Sequence, residues 1–132
     1  MLSNNQQLLN FSNVTTVPLI LQSEIAECGL AALAMVASYF GHQLDMAAMR
    51  KRYSADLKGM SLQQLIEQAD SLGLASRALQ CPIDDVQKLQ TPCILHWDMN
   101  HFVVLTKVSG KGSSTKFSIN DSAAGKHTLK TG

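Results

Sequence analysis

QSEIAECGL at residues 22–30 runs directly into AALAMVA at residues 31–37, so a cysteine stands where an apolar helix is predicted to begin. The partial positive charge at a helix N-terminus favours the thiolate of such a cysteine, which is its nucleophilic form. Gln22 lies six residues before Cys28. The Gln22 side-chain amide and the Cys28 backbone N–H could both donate hydrogen bonds to an oxyanion. These residues predict half of a cysteine peptidase site, which still needs a histidine and an orienting group from elsewhere in the chain.

The composition predicts one globular domain. The chain has 132 residues, of which 45% are hydrophobic and 16% charged, enough for a single core. Its 11 basic and 10 acidic residues leave a net charge of +1, which argues against a nucleic-acid partner. The longest apolar run, residues 29–37, is about half of a membrane span, so this domain is not expected to insert into a bilayer. No lysine or arginine precedes Arg50, so the positive region of a secretory signal is missing and a cytosolic location is expected.

The three cysteines, Cys28, Cys81 and Cys93, are an odd number without a C-x-x-C pair. This pattern argues against a disulfide framework and against a zinc site. We therefore expect at least one free thiol and no metal or cofactor in the domain. Cys81 and Cys93 are interpreted as structural residues, because cysteine is among the most often buried residue types.

The first half of the chain is predicted to be helical. Residues 1–13, rich in Asn, Gln and Ser, are expected to form a flexible lead-in to a single domain at residues 14–132. Pro18 limits the segment before Gln22 to an extended conformation. Helices are predicted at Cys28–Phe40, at Met46–Tyr53 with Asp45 as N-cap, and at residues 62–72, after a capping box formed by Ser61 and Gln64.

The second half is predicted to form a sheet. A strand at Leu74–Leu79 and a short helical connection at Pro82–Leu89 come first. Cys93–Trp97 and His101–Val108 are expected to pair as an antiparallel hairpin around residues 98–100, followed by strands at Lys116–Asn120 and His127–Leu129. The predicted fold class is α+β, with a central buried helix packed on an antiparallel sheet.

A helical half that carries a cysteine, followed by a sheet with a histidine at a strand start, is the layout of papain-like cysteine peptidases. The segments that carry a closer resemblance are Gln22 with ECGLA at 27–31, PCILHW at 92–97 with HFVVL at 101–105, and NDSAAG at 120–125. Together they resemble the bacteriocin-processing peptidases, the N-terminal cytosolic domains of ABC exporters that remove double-glycine leader peptides. The resemblance runs from about Val17 to Gly125.

The resemblance implies Cys28 as nucleophile, His101 as general base and then acid, Asp121 as the group that orients the imidazole, and Gln22 as oxyanion donor. The chemistry agrees, because an imidazole is needed to hold a thiolate and a carboxylate fixes the imidazole tautomer. Ser122 departs from the family, which usually has proline after the aspartate. This serine is expected to loosen the turn that presents Asp121.

What the resemblance implies about function is a thiol endopeptidase that cuts a precursor peptide after a Gly-Gly or Gly-Ala pair through a thioester. The leader is expected to bind as an amphipathic helix in an apolar groove. The chain ends sooner than the family domain, so it is expected to be part of a larger ABC transporter for a bacteriocin or toxin. The implied partners are that transporter's transmembrane and nucleotide-binding domains, the latter binding ATP, on the cytoplasmic side of a bacterial inner membrane.

Other interpretations remain open. The domain could be a catalytically silent cargo-docking module of a toxin exporter, although such degenerate domains typically lack the cysteine, or an acyltransferase or amidase with the same thioester chemistry. His101 could be an ordinary strand-end histidine and Asp121 a turn residue. Simpler roles are also assigned to neighbouring residues: His42, His96 and His127 to surface or packing, Trp97 to the cleft or core wall, Glu24 and Glu27 to solvated side chains, and the basic triplet Arg50–Arg52 to a solvated helix face.

Overall fold

The computed structural model describes residues 16–53, 59–76, 78, 80–97 and 101–130, without the side chains of Ile25, Ile83 and Trp97. Among these residues, the helices are α1 (Cys28–Tyr39), α2 (Met46–Arg52) and α3 (Leu62–Ser71), and the strands are β1 (Cys93–Trp97), β2 (His101–Ser109), β3 (Lys116–Asp121) and β4 (Gly125–Lys130). Short 3-10 helices lie at Ile25–Glu27, Ile83–Lys88 and Gly112–Ser114.

Helix α1 is the centre of the core. Every residue from Cys28 to Ala37 is buried, because this helix is apolar on all sides and its alanines let neighbouring elements approach closely. It packs against β2, α2 and α3. Leu33 and Met35 are among the largest fully buried side chains. Replacing either of them with alanine would cost roughly 2 to 5 kcal/mol by the usual cost of a buried cavity.

The caps predicted for α2 and α3 are present. Asp45 Oδ1 accepts from Ala48 N at 2.8 Å at the start of α2. Ser61 Oγ accepts from Gln64 N at 3.1 Å, and Gln64 Oε1 accepts from Ser61 N at 2.9 Å, which completes the capping box of α3. Gly73 has φ of +79° just after α3, where a left-handed residue ends a helix.

The four strands form an antiparallel sheet in the order β1-β2-β3-β4. Alternate residues of β2 face two different clusters: Phe102 and Val104 pack with α1, whereas Val103 and Leu105 pack with Ile119 on the other side. Trp97 pairs with His101 at the hairpin end, and Val104 pairs with Asn120. The start of β2 therefore lies beside the end of β3.

The α+β fold and the antiparallel hairpin between residues 93–97 and 101–109 are confirmed. The predicted connection at Pro82–Leu89 is a 3-10 helix, and the last strand extends over Gly125–Lys130. Residues 1–13 and the hairpin loop at 98–100 lie outside the described residues. In the part of the chain that the structure describes, no helix is both long and apolar enough to cross a membrane.

The strand predicted at Leu74–Leu79 is wrong for the residues of it that are described, which are 74–76 and 78. Leu74 N donates to Ala69 O at 3.0 Å and Gly73 N donates to Asp70 O at 2.9 Å, so the segment begins by closing the C-terminus of α3. Its small and apolar residues then line a groove between α3 and β1. The apolar pattern that suggested a strand reflects this lining.

Candidate active site

Cys28 is the first residue of α1 and follows the 3-10 turn Ile25–Glu27. Its side chain is buried. A Cβ placed on the next residue, Gly29, would lie 3.4 Å from Phe102 Cδ2 and 3.3 Å from Met60 Cβ. Gly29 therefore packs against the residue that follows His101, and this contact brings the beginning of α1 to the beginning of β2.

His101 and Asp121 form a hydrogen-bonded pair. His101 Nε2 lies 2.8 Å from Asp121 Oδ1, and both side chains are partly buried. The sheet register explains the contact, because His101 begins β2 and Asp121 ends its neighbour β3. A carboxylate at this position accepts the Nε2–H and so fixes both the tautomer and the orientation of the ring.

Burial opposes ionisation of Asp121, but hydrogen bonds from Ala123 N and from His101 outweigh it and lower the pKa of the carboxyl group. The bond from Ala123 N is 2.9 Å long. Asp121 is therefore a carboxylate at neutral pH, the form that can accept from the imidazole.

Gln22 is held by the turn that follows Asp121. Its backbone N donates to Ser122 O at 3.1 Å, while Ser122 Oγ donates to Gln22 Oε1 at 2.5 Å. The Gln22 Nε2 group donates to Glu24 O at 3.0 Å. The sequence predicts that Ser122 loosens this turn; in the structure Ser122 is 2% exposed and is bonded to Gln22 of the N-terminal segment. The hydroxyl contributes a hydrogen bond that links the turn to Gln22.

A half-buried ion pair lies next to Cys28. The sequence pattern predicts solvated side chains at Glu27 and Arg50. Glu27 is instead only 6% exposed, whereas Arg50 is exposed as predicted and binds the Glu27 carboxylate. Arg50 Nε lies 2.5 Å from Glu27 Oε2 and Arg50 Nη2 lies 2.9 Å from Glu27 Oε1. Lys51 and Arg52 are exposed, as predicted.

The Glu27 carboxylate also closes the turn between Gln22 and Cys28. Its Oε1 accepts from Ser23 N at 2.9 Å and from Glu24 N at 3.0 Å. The hydrogen bond from Arg50 is the largest influence on the pKa of Glu27, and with the two backbone bonds it outweighs burial and lowers that pKa to about 2. Glu27 is thus a fixed negative charge that holds the turn in shape.

The other cysteines are chemically distinct from Cys28. Cys81 and Cys93 are partly exposed free thiols. Burial, with a smaller contribution from Cys81, raises the pKa of Cys93 to about 11. Cys93 therefore remains a neutral thiol at neutral pH. No group of three or more His, Cys, Asp or Glu residues suited to a metal occurs among the residues described.

An apolar groove of about 800 Å³ lies between α1, α3, the segment after α3 and β1. Phe40 and Leu62 on its wall are 56% and 38% exposed. His96 stacks on Phe102 with ring centroids 4.4 Å apart, and both residues line the groove. Phe102 connects the groove to the site, because it also contacts the Gly29 position. Other residues of the lining include Leu33, Val36, Leu65, Ile66, Ala69 and Ile94.

A family model described as "Peptidase C39 family" matches residues 16–132. The chain is 39% identical over 125 residues to the colicin V secretion/processing ATP-binding protein CvaB of Escherichia coli, covering 92% of the chain and 17% of CvaB. It is 40% identical over 113 residues to the probable microcin-H47 secretion/processing ATP-binding protein MchF of Escherichia coli, covering 86% of the chain and 16% of MchF. The chain thus spans less than a fifth of the length of these curated relatives.

Solved structures give the same result. A double glycine motif protease from an AMS/PCAT transporter, in complex with the leader peptide, superposes with a TM-score of 0.76 at 32% identity, covering 90% of this chain and 83% of that one. The peptidase domain of Streptococcus ComA, a bi-functional ABC transporter, gives a TM-score of 0.72 at 22% identity and covers 86% of both chains. At 22% identity, the match to ComA shows the fold alone.

Proposed function

Because the chain belongs to the Peptidase C39 family of cysteine peptidases, we propose that it removes the leader from a precursor peptide by cutting after a double-glycine-type motif. The observation that carries this proposal is the His101–Asp121 pair at 2.8 Å, beside the helix start that bears Cys28. The printed functions of CvaB and MchF, secretion and processing, support the same assignment.

In the proposed mechanism Cys28 Sγ attacks the carbonyl carbon of the scissile bond while His101 accepts the thiol proton. Since Nε2 is bonded to Asp121, Nδ1 is the ring nitrogen that exchanges this proton. The C–N bond breaks, His101 protonates the leaving amine, and a thioester to Cys28 remains. Water then loses a proton to His101 and attacks the thioester, which releases the leader acid and returns the thiol.

Negative charge develops on the carbonyl oxygen in both steps. Gln22 and the backbone N–H of Cys28 are the proposed donors to it. Asp121 remains ionised throughout, because it accepts from Ala123 N as well as from the imidazole. Its role is to hold the ring and to stabilise the imidazolium.

The leader is proposed to bind as an amphipathic helix in the apolar groove. Exposed Phe40 and Leu62 offer apolar contacts at its wall, and a helix with apolar residues every three to four positions would cover them. The groove reaches Phe102, next to His101, so a bound leader could extend from it into the site.

The chain is further proposed to be one domain of an ABC exporter. It would lie next to transmembrane domains and to nucleotide-binding domains, of which only the latter bind ATP. Such a domain would work on the cytoplasmic side of a bacterial inner membrane. The printed names of the relatives, which are ATP-binding secretion proteins, support this proposal. The alternative of a silent cargo-docking module has no specific observation in its favour.

Mass spectrometry of a double-glycine precursor peptide incubated with the domain tests the proposal. Two fragments that meet after the glycine pair are expected. Cys28→Ala should abolish cleavage while leader binding remains. Cys81→Ala changes a free thiol that has no role in the proposed mechanism, so this variant should cleave at the parent rate. Leader binding without cleavage by the parent domain would favour the docking module instead.

A further inference from the structure

Ser122 contacts Gln22 at two points. Its backbone carbonyl accepts from Gln22 N at 3.1 Å, and its hydroxyl donates to Gln22 Oε1 at 2.5 Å. A hundred residues separate the two positions in the chain. Ser122 is buried, so these bonds are shielded from competition with water.

The two ends of the Gln22 amide are distinguished by their partners. Glu24 O can only accept, so the group that donates to it at 3.0 Å must be Nε2. The remaining amide atom is then Oε1, which can only accept, and the Ser122 hydroxyl is the donor that faces it. The Glu24 carbonyl, which can only accept, selects one of the two orientations of the amide, and the Ser122 hydroxyl holds Oε1 in that orientation.

This selection matters for chemistry. An amide turned by 180° would present Oε1 where Nε2 belongs, and a carbonyl oxygen repels a developing oxyanion instead of stabilising it. We propose that Ser122 is a positioning residue that holds the Gln22 amide in place, in the donating orientation that the Glu24 carbonyl selects. The proposal rests on the proposed role of Gln22 as oxyanion donor.

The position of Ser122 adds a second consequence. It directly follows Asp121, which binds the His101 imidazole. One turn therefore orients both the His101 imidazole, which transfers the proton, and the Gln22 amide, which donates to the oxyanion. A change in the hydroxyl of Ser122 should alter only the second of these.

The test is steady-state cleavage of a leader peptide by Ser122→Ala, Gln22→Ala and the double variant. Ser122→Ala should lower kcat by roughly 3- to 20-fold, the usual effect of losing one buried hydrogen bond, with little change in KM. In the Gln22→Ala background, Ser122→Ala should have no further effect on kcat, because the group it positions is gone. Ser118→Ala, a serine substitution within β3, should match the parent.

Equal losses in the two backgrounds would show that Ser122 acts independently of Gln22 and would overturn the proposal. An unchanged kcat for Ser122→Ala, with Gln22→Ala impaired, would overturn it too and leave the role of Gln22 intact. An unchanged kcat for Gln22→Ala would overturn that role and the present inference with it. The melting temperature of each variant is measured to check that it is folded. Ser122→Cys, which keeps the volume but donates only weakly, gives the same comparison if Ser122→Ala does not fold.

Discussion

Arg50 Nη2 lies 2.9 Å from Glu27 Oε1, so a residue of α2 holds the residue immediately before Cys28. The same nitrogen lies 2.6 Å from Ser23 Oγ. Arg50 therefore joins both ends of the turn that separates the proposed oxyanion donor from the proposed nucleophile. The pair serves the geometry of the site although neither residue takes part in the proposed chemistry.

We expect Glu27→Gln to destabilise the fold in a pH-dependent manner. The pKa of Glu27 is lowered to about 2 from 4.5, so its stabilising contribution is complete above about pH 4.5 and is lost as the pH falls toward 2. A shift of this size corresponds to about 3 kcal/mol, which screening at the exposed end of Arg50 reduces to roughly 1 to 2 kcal/mol. Urea unfolding of the parent and the variant, at neutral pH and near pH 2, measures this contribution to the free energy of unfolding.

Lys51→Ala is the matched control, because Lys51 is an exposed cation of the same helix. It should leave the free energy of unfolding nearly unchanged at both pH values. A Glu27→Gln penalty that stays constant down to pH 2 would mean that the ion pair does not stabilise the fold.

Cys28 should react with iodoacetamide before Cys93. Burial raises the pKa of Cys93 to about 11, so this thiol is almost entirely protonated at neutral pH. Cys28 is the first residue of α1, and the proposed mechanism gives it His101 as a base. Limited labelling followed by peptide mapping reads out the order, and first labelling of Cys93 would point to a different reactive centre.

His101→Ala should abolish detectable turnover, because no base would then accept the Cys28 proton. Asp121→Ala should lower kcat by roughly 10-fold or more by releasing the ring, and Asp121→Asn should also lower it, by misorienting the ring rather than by removing the base. Single-turnover cleavage of a leader peptide measures all three. His42→Ala, at an exposed histidine, is the control. Full activity of Asp121→Ala at a lowered melting temperature would assign Asp121 to the turn alone.

Gln22→Ala should reduce kcat by roughly 10- to 1,000-fold with little change in KM, because an oxyanion exists only in the transition state. Gln22→Glu should be worse, since it places a carboxylate beside the developing charge. The control is Gln43→Ala, at an exposed glutamine. A raised KM at unchanged kcat would make Gln22 an ordinary substrate contact.

Local signals in the sequence were sufficient for most of the fold. The cap at Asp45 and the capping box of Ser61 and Gln64 involve residues three apart, so they can be read directly from the chain. The apolar run after Cys28 predicted the buried central helix correctly. The α+β class and the peptidase family are confirmed. The roles of Cys28, His101, Asp121 and Gln22 stay predictions, although the structure pairs His101 with Asp121.

Contacts between distant positions explain what was missed. Glu27 and Arg50 are 23 residues apart, and each alone resembles an ordinary surface charge. Ser122 bonds to a side chain 100 residues away, so its effect on the turn could not be inferred from the turn's own sequence. The segment after Gly73 has apolar residues like a strand, but its first hydrogen bond goes back to Ala69. Local pattern does not determine such partners.

The burial of every α1 residue from Cys28 to Ala37 bears on how the domain would open. Amide hydrogens of a helix buried on all sides exchange with solvent mainly through global unfolding, whereas an extended segment held by a few hydrogen bonds opens locally at a lower free energy. Gln22 belongs to such a segment, and Cys28 belongs to α1. Mild denaturant should therefore detach Gln22, the proposed oxyanion donor, while Cys28 keeps its place, and activity should be lost before the helix unfolds.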